Sequence, residues 1–109
     1  MGNLSQRVGI EAERSLAATS FDGTDQPIGS VLENPASFVI FDNQTDVSVP
    51  IFHNGTLFKT MKAGDVFPFD VRANHGTAPS FEFEANSQFS TNASVGTSGS
   101  IYISVVYAK

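Results

Sequence analysis

The chain has 109 residues, of which 40% are hydrophobic and 16% charged, a composition typical of one globular domain. Six Lys and Arg stand against eleven Asp and Glu, and the resulting formal charge of −5 disfavours nucleic acid and anionic membranes as partners, since both attract basic proteins. Cys is absent from the sequence, which excludes a disulfide framework and thiolate chemistry.

The first third of the chain, residues 1–35, is weakly patterned and interrupted by Gly and Pro. Apolar residues recur every four positions between Leu4 and Leu16, as in a short helix, but Gly9 interrupts that pattern. The same segment could equally be an extended arm, so the sequence leaves helix and strand open for residues 4–17. Charged residues in the first twenty positions do not match the apolar stretch of a signal peptide. The absence of Cys fits synthesis in a reducing cytoplasm, which is therefore expected.

The middle of the chain alternates short apolar stretches with turn residues, as in antiparallel β proteins. Residues 37–41 predict a continuous apolar strand, and residues 47–53 predict an alternating one. Because Pro50 has no N–H to donate, this second strand is expected at a sheet edge or with a bulge. Asn54-Gly55 is the strongest hairpin signal, since a type I′ turn needs a positive φ at both positions.

The last part of the chain predicts strands over residues 66–71, 80–85 and 101–107, with a short return at 87–90. About six to eight strands with short connections predict an all-β fold, an antiparallel, jelly-roll-like β-sandwich with an N-terminal extended arm. Residues 1–35 would be the arm and lead-in strands, and residues 36–109 the sandwich domain. The alternation predicts a core of Phe38, Ile40, Phe67, Phe69, Phe81, Phe83, Ile101, Ile103 and Val105.

Residues that could carry chemistry do not form a recognisable pattern. The two histidines, His53 and His75, lack partners at metal-ligand spacing. No nucleophile elbow and no phosphate-binding loop is present in the sequence. We therefore expect no enzyme activity, no catalytic residues, no bound metal and no cofactor.

Several strand-and-turn motifs carry a resemblance to a known family. They are the strand–turn–strand of residues 40–49, Asn54-Gly55, Ala63-Gly64, residues 97–107, and the N-terminal stretches 7–12 and 14–17. With these motifs the chain resembles small structural proteins of tailed-bacteriophage virions, among them jelly-roll-like decoration, cement or staple proteins. The resemblance implies a protein on the capsid exterior that stabilises contacts between major capsid protein subunits, often as a homodimer or homotrimer.

Two other readings remain open. One is a different virion role, at the head–tail junction or as the base of a head fibre. The other is a carbohydrate-binding β-sandwich, although such modules usually present Trp or Tyr platforms and this chain has no Trp.

The N-terminal arm is the predicted contact region, because its apolar residues are too sparse for a core of their own. Laid on a neighbouring subunit, it could add main-chain hydrogen bonds by strand addition. Arg7 and Arg14 could pair with carboxylates of the partner and contribute specificity. The alternative is an arm that folds back on its own sandwich as an extra strand. The predicted interface residues are Leu4, Arg7, Val8, Ile10, Arg14 and Leu16.

Overall fold

The computed structural model describes residues 8–71 and 83–108. One turn of 3-10 helix at Ala18–Ser20 is the only helical element in these ranges. The described residues form nine strands: β1 (Val8–Ile10), β2 (Arg14–Ala17), β3 (Gln26–Pro27), β4 (Phe38–Asn43), β5 (Val49–His53), β6 (Thr56–Met61), β7 (Val66–Asp70), β8 (Phe89–Thr91) and β9 (Ser100–Ala108).

Two antiparallel sheets contain these strands. The first sheet has the order β1-β9-β4-β7, and β2 also pairs with β9. The second sheet has the order β3-β8-β5-β6. Strands β2 to β9 thus give two four-stranded orders, β2-β9-β4-β7 and β3-β8-β5-β6, which are those of a jelly roll. The predicted antiparallel sandwich is confirmed.

The N-terminal segment forms one edge of the first sheet. β1 pairs with the end of β9 (Val8 opposite Ala108), and β2 pairs with its beginning (Ala17 opposite Ser100). Residues 8–17 are therefore strands of the chain's own sheet, as in the fold-back alternative. The long strand β9 thus provides the ladder for both short strands.

The core between the sheets is rich in phenylalanine, with Phe41 at its centre. Its ring centroid lies 5.5 Å from that of Phe58, 5.3 Å from Phe89 and 6.3 Å from Phe83. The register between β5 and β6 shifts after Ile51, so that Phe58 is an extra residue in its strand and reaches this cluster. Of the predicted core residues, the structure buries Phe83, Ile101, Ile103 and Val105.

The predicted inward face of β4 is wrong. Val39 and Phe41 are fully buried, whereas Phe38 and Ile40 are only partly buried and alternate with them on the opposite face. An uninterrupted apolar run has no period of two, so its sequence does not show which face points inward. Other predicted core residues differ less: Phe67 and Phe69 pack half-buried against the core from edge strand β7, and Phe81 lies outside the described residues.

The strand predicted at residues 80–85 is not present in its described part. Residues 83–88 form a turn whose main chain bonds to the irregular segment 32–36: the Ala36 N–H donates to the Phe83 carbonyl (2.9 Å), and the Leu32 N–H to the Ser87 carbonyl (2.9 Å). Phe83 is nevertheless buried. The described part of the alternating pattern thus contains one anchored aromatic residue in a loop, and residues 80–82 lie outside the described ranges.

The predicted hairpin at Asn54-Gly55 is confirmed, with φ values of 51° and 84°. β5 lies between β8 and β6 rather than at an edge, and the bulge in the β5–β6 pair is in β6, where Phe58 is the extra residue, so neither outcome expected from Pro50 is found. Only Phe52 and His53 of β5 pair with β8. Pro50 therefore has a ladder partner in β6 but none in β8. A residue that is paired on one side only can lack an N–H donor at little cost.

Candidate interaction surface

The outer face of the first sheet is unusually apolar. Because side chains alternate along a strand, the neighbours of the buried core residues point away from the sandwich. On four adjacent strands most of these outward positions carry large apolar or aromatic side chains, and Asp42, Asp70 and Ser104 are the polar exceptions on β4, β7 and β9. We call this set the outer face: Ile10, Phe38, Ile40, Val66, Pro68, Tyr102 and Val106.

The strand register places these residues in rows across the sheet. In the first row Ile10 is opposite Val106, and Val106 is opposite Phe38. In the second row Ile40 is opposite Pro68. Directly opposite residues have Cβ atoms roughly 4.5–5.5 Å apart, so the apolar residues of a row are neighbours. The first row ends at Asp70, opposite Phe38, and the second begins at Ser104, opposite Ile40.

A third row begins at the β2 edge and ends at the β7 edge. Ser15 is opposite Tyr102, Tyr102 is opposite Asp42, and Asp42 is opposite Val66. The two ends of the apolar set are well exposed: 76% of Ile10 and 59% of Val66 is accessible to solvent. The outer face of a solvated antiparallel sheet is normally polar, and a contiguous apolar patch typically marks an interaction site.

Carboxylates lie among and beside the apolar residues of the outer face. Asp42 and Asp70 share rows with its apolar residues, and Glu13 accepts a hydrogen bond from Ser104 Oγ (3.3 Å) between the first and third rows. Within the part of the chain that the structure describes, no Lys or Arg lies on this face. Lys59 is on the second sheet, with its Nζ 4.7 Å from the ring centroid of Phe67, and Lys62 is in the turn after β6.

Arg14 is used inside the fold. Its Nη2 donates to Glu11 Oε1 (2.6 Å) and to the Val31 carbonyl (2.8 Å), and its Nε donates to the Ser30 carbonyl (2.8 Å). Both side chains of this ion pair are 4% exposed. The pair therefore fixes the 30–34 loop against the β2 edge, and the guanidinium makes its described contacts within the chain.

Glu11 completes this buried cluster. Its Oε2 accepts from the Asn34 main-chain N–H (2.8 Å) and from Asn34 Nδ2 (3.1 Å). Burial acts to raise the pKa of the Glu11 carboxyl, but the hydrogen bonds from Arg14, from the Glu33 N–H and from Asn34 outweigh it, and the pKa is lowered. The carboxylate thus stays charged opposite the guanidinium.

The predicted interface residues are not all brought together. Ile10 is exposed on the outer face, whereas Leu16 packs against the core and Arg14 is buried. Val8 is in β1, and Leu4 and Arg7 lie outside the described residues. The intermolecular role of these residues stays a prediction, and Ile10 is the one that the structure places beside other exposed apolar side chains.

Two turns at one end of the sandwich are tied together by Asn43 and Asp46. Asn43 is fully buried, and its Nδ2 donates to the carbonyls of Val47, Met61 and Lys62 at 3.0–3.1 Å. Asp46 accepts hydrogen bonds from the hydroxyl and N–H groups of Thr97, and these lower its pKa to about 2. These contacts join the β4–β5 turn to the loop that precedes β9.

His53 is part of the core margin. Its ring centroid lies 4.9 Å from that of Phe83 and 5.7 Å from that of Phe89. Burial lowers the pKa of the imidazole, and the Glu84 carboxylate acts in the opposite direction. In residues 8–71 and 83–108, no three His, Cys, Asp or Glu side chains are grouped so that they could hold a metal ion.

The comparisons with known proteins give no relative: no family model, no curated protein and no solved structure matches this chain. No helix in the described part of the chain is long and apolar enough to cross a membrane. The outer face of the first sheet is therefore the feature from which a function can be argued.

Proposed function

We propose that the chain is a bacteriophage capsid decoration protein, which binds the outside of the shell and stabilises contacts between major capsid protein subunits. The observation that carries the proposal is the apolar outer face, which extends over four strands of the first sheet. The sequence motifs quoted above point to the same class of protein. Jelly rolls also occur in viral capsid domains, but a fold alone does not decide a function.

Such a protein would act by the free energy of its interfaces and would catalyse no reaction. A standard interface buries about 800 Å² per partner, and apolar burial contributes roughly 25 cal/mol per Å². Lost translational and rotational freedom offsets part of that gain. A chain that contacts two neighbouring shell subunits at once would oppose their separation, and many copies on one particle would add their effects.

Stoichiometry tests the proposal directly. Virions should be purified from cells that produce this chain, and their proteins quantified by mass spectrometry against labelled peptide standards. A decoration protein should be present in a fixed ratio to the major capsid protein, and shells without it should release their contents at a lower temperature. Absence from purified virions, or shells whose stability does not depend on the chain, would contradict the proposal.

A head–tail junction or head-fibre base is the second virion role, and the same measurement distinguishes it. A junction protein would be present at the copy number of one ring, however large the shell. Electron microscopy of particles labelled through Leu57→Cys on the second sheet, where 54% of Leu57 is exposed, would show either a label over the shell or a label at one vertex.

A further inference from the structure

We infer that the outer face of the first sheet is itself the docking surface, and that its partner is a protein surface with an apolar centre and a basic margin. This inference rests on the proposed function and names the surface and the partner chemistry. The shape of the face supports this inference first. A face that extends over four strands is a broad surface, whereas small-molecule sites are concave. Its second support is the exposure of Ile10 and Val66 at opposite ends of that face.

Charge selects the partner. Glu13 lies beside Ser104 and Asp42 lies in the third row, and no described Lys or Arg lies among the residues of the outer face. In a two-fold dimer the same patch meets itself, so these carboxylates would be brought towards one another in a desolvated interface, which is unfavourable. Lys and Arg around an apolar centre on a different protein would instead complement them. A homodimer or homotrimer of this chain would accordingly use other surfaces.

The main chain of β7 favours docking by the face over docking by strand addition. The Val71 N–H donates to the Ser37 carbonyl, and the Asp65 carbonyl accepts from the Asn43 N–H, so odd-numbered residues direct their main-chain groups towards β4. The even-numbered residues Val66, Pro68 and Asp70 direct their main-chain groups away from β4, and Pro68 is the middle one of the three. It has no N–H to offer, and an added strand would lose a ladder hydrogen bond there.

The first experiment removes apolar surface from the face without disturbing the core. The Ile10→Thr/Val66→Thr double variant, Leu57→Thr on the second sheet as its matched control, and the unchanged chain are incubated with purified shells that lack the protein. Bound and free protein are then quantified after sedimentation. We expect the double variant to lose at least about tenfold in affinity. Leu57→Thr should bind as the unchanged chain does, and circular dichroism should show that all three proteins are folded.

The second experiment tests the basic margin. Glu13→Gln and Asp42→Asn should each weaken binding at low salt and reduce its dependence on salt concentration. Asp25→Asn, an exposed substitution in the β2–β3 connection, is the matched control and should leave both quantities unchanged. Equal salt dependence for all of these proteins would contradict the charge complementarity.

Other outcomes separate the two proposals. If the unchanged chain does not bind shells, the proposed function fails and the inference fails with it. If it binds and the double variant binds equally well, or if Leu57→Thr alone weakens binding, only the docking inference is overturned. A dimer in analytical ultracentrifugation that Ile10→Thr/Val66→Thr dissociates would show that the face is a self-interface, and would also overturn it.

Discussion

The two sheets of the sandwich are built differently. The first has two long central strands, β9 and β4, joined by an uninterrupted register from Phe38–Val106 to Asn43–Ile101. The second has strands of two and three residues at β3 and β8, and a bulge between β5 and β6. The regular sheet carries the apolar outer face, whereas the irregular sheet uses its bulge to bring Phe58 into the core. The sheet with the regular register therefore carries the candidate binding surface, and the sheet with the bulge contributes an extra aromatic side chain to the core.

The largest expected effect is a difference in unfolding free energy between substitutions on the inner and the outer face of the first sheet. Phe41→Ala removes the ring at the centre of the aromatic core and should cost about 3–5 kcal/mol of unfolding free energy. Phe38→Ala, three positions earlier on the outward side, should cost less than about half of that, because its ring is only partly buried. Urea denaturation of both variants measures the difference. Equal losses would mean that Phe38 also belongs to the core.

The edge that joins the N-terminal strands to the first sheet depends on the buried ion pair. Arg14→Met should destabilise the fold by about 3 kcal/mol, because it leaves the Glu11 carboxylate buried without its cation. Adding Glu11→Gln should recover part of the loss, since no buried charge then remains. Thermal and urea unfolding of the two variants provide the test. A double variant less stable than Arg14→Met would contradict this account.

Asn43 offers a test of how the sheets are joined at one end. Asn43→Asp keeps the shape of the side chain and its acceptor for the Thr45 hydroxyl, but loses the donors that bind the carbonyls of Val47, Met61 and Lys62. We expect a loss of about 1–3 kcal/mol or more, because buried carbonyls are left unpaired. Gln44→Ala, at the next and exposed position, is the control and should change stability by less than about 0.5 kcal/mol.

The smallest expected effect is a pH dependence at the same end. The pKa of Asp46 is about 2 in the folded protein, below its ordinary value of 3.8. Its hydrogen bonds to Thr97 and Ser98 therefore stabilise the fold above about pH 4, and this contribution is lost as the pH falls towards 2. In Asp46→Asn the urea midpoint should fall less over this interval than in the unchanged protein. Asp25→Asn, for which no such contacts exist in the described structure, should retain the original profile.

Local signals account for what the sequence predicted well. The Asn54-Gly55 hairpin needs only two residues that tolerate positive φ, and the alternation of Ile101, Ile103 and Val105 defines a face within one strand. The jelly-roll type of sandwich followed from the number and spacing of such segments. The sequence left open whether the N-terminal segment folds back on its own sandwich, because the pairing of β2 with β9 depends on a partner at the other end of the chain.

The candidate surface could be predicted only in part. Ile10 was selected from the sequence, but its neighbours Phe38 and Ile40 were assigned to the core, because a continuous apolar run gives no face. The internal contacts of Arg14 were not predicted, since nothing in the sequence near it shows that the carbonyls of Ser30 and Val31 lie within reach. A docking face made from four strands becomes visible only when the register between them is known.

The position of β9 has a consequence for how the chain folds. This strand lies between β4 and the two N-terminal strands, so the ladder pairs of β1 and β2 all connect the beginning of the described chain with its end. During synthesis, residues 8–17 have no partner strand until β9 has emerged from the ribosome. Loop closure over such distances is slow, so we expect late, nearly all-or-none folding, with the apolar strands of the first sheet exposed in the meantime.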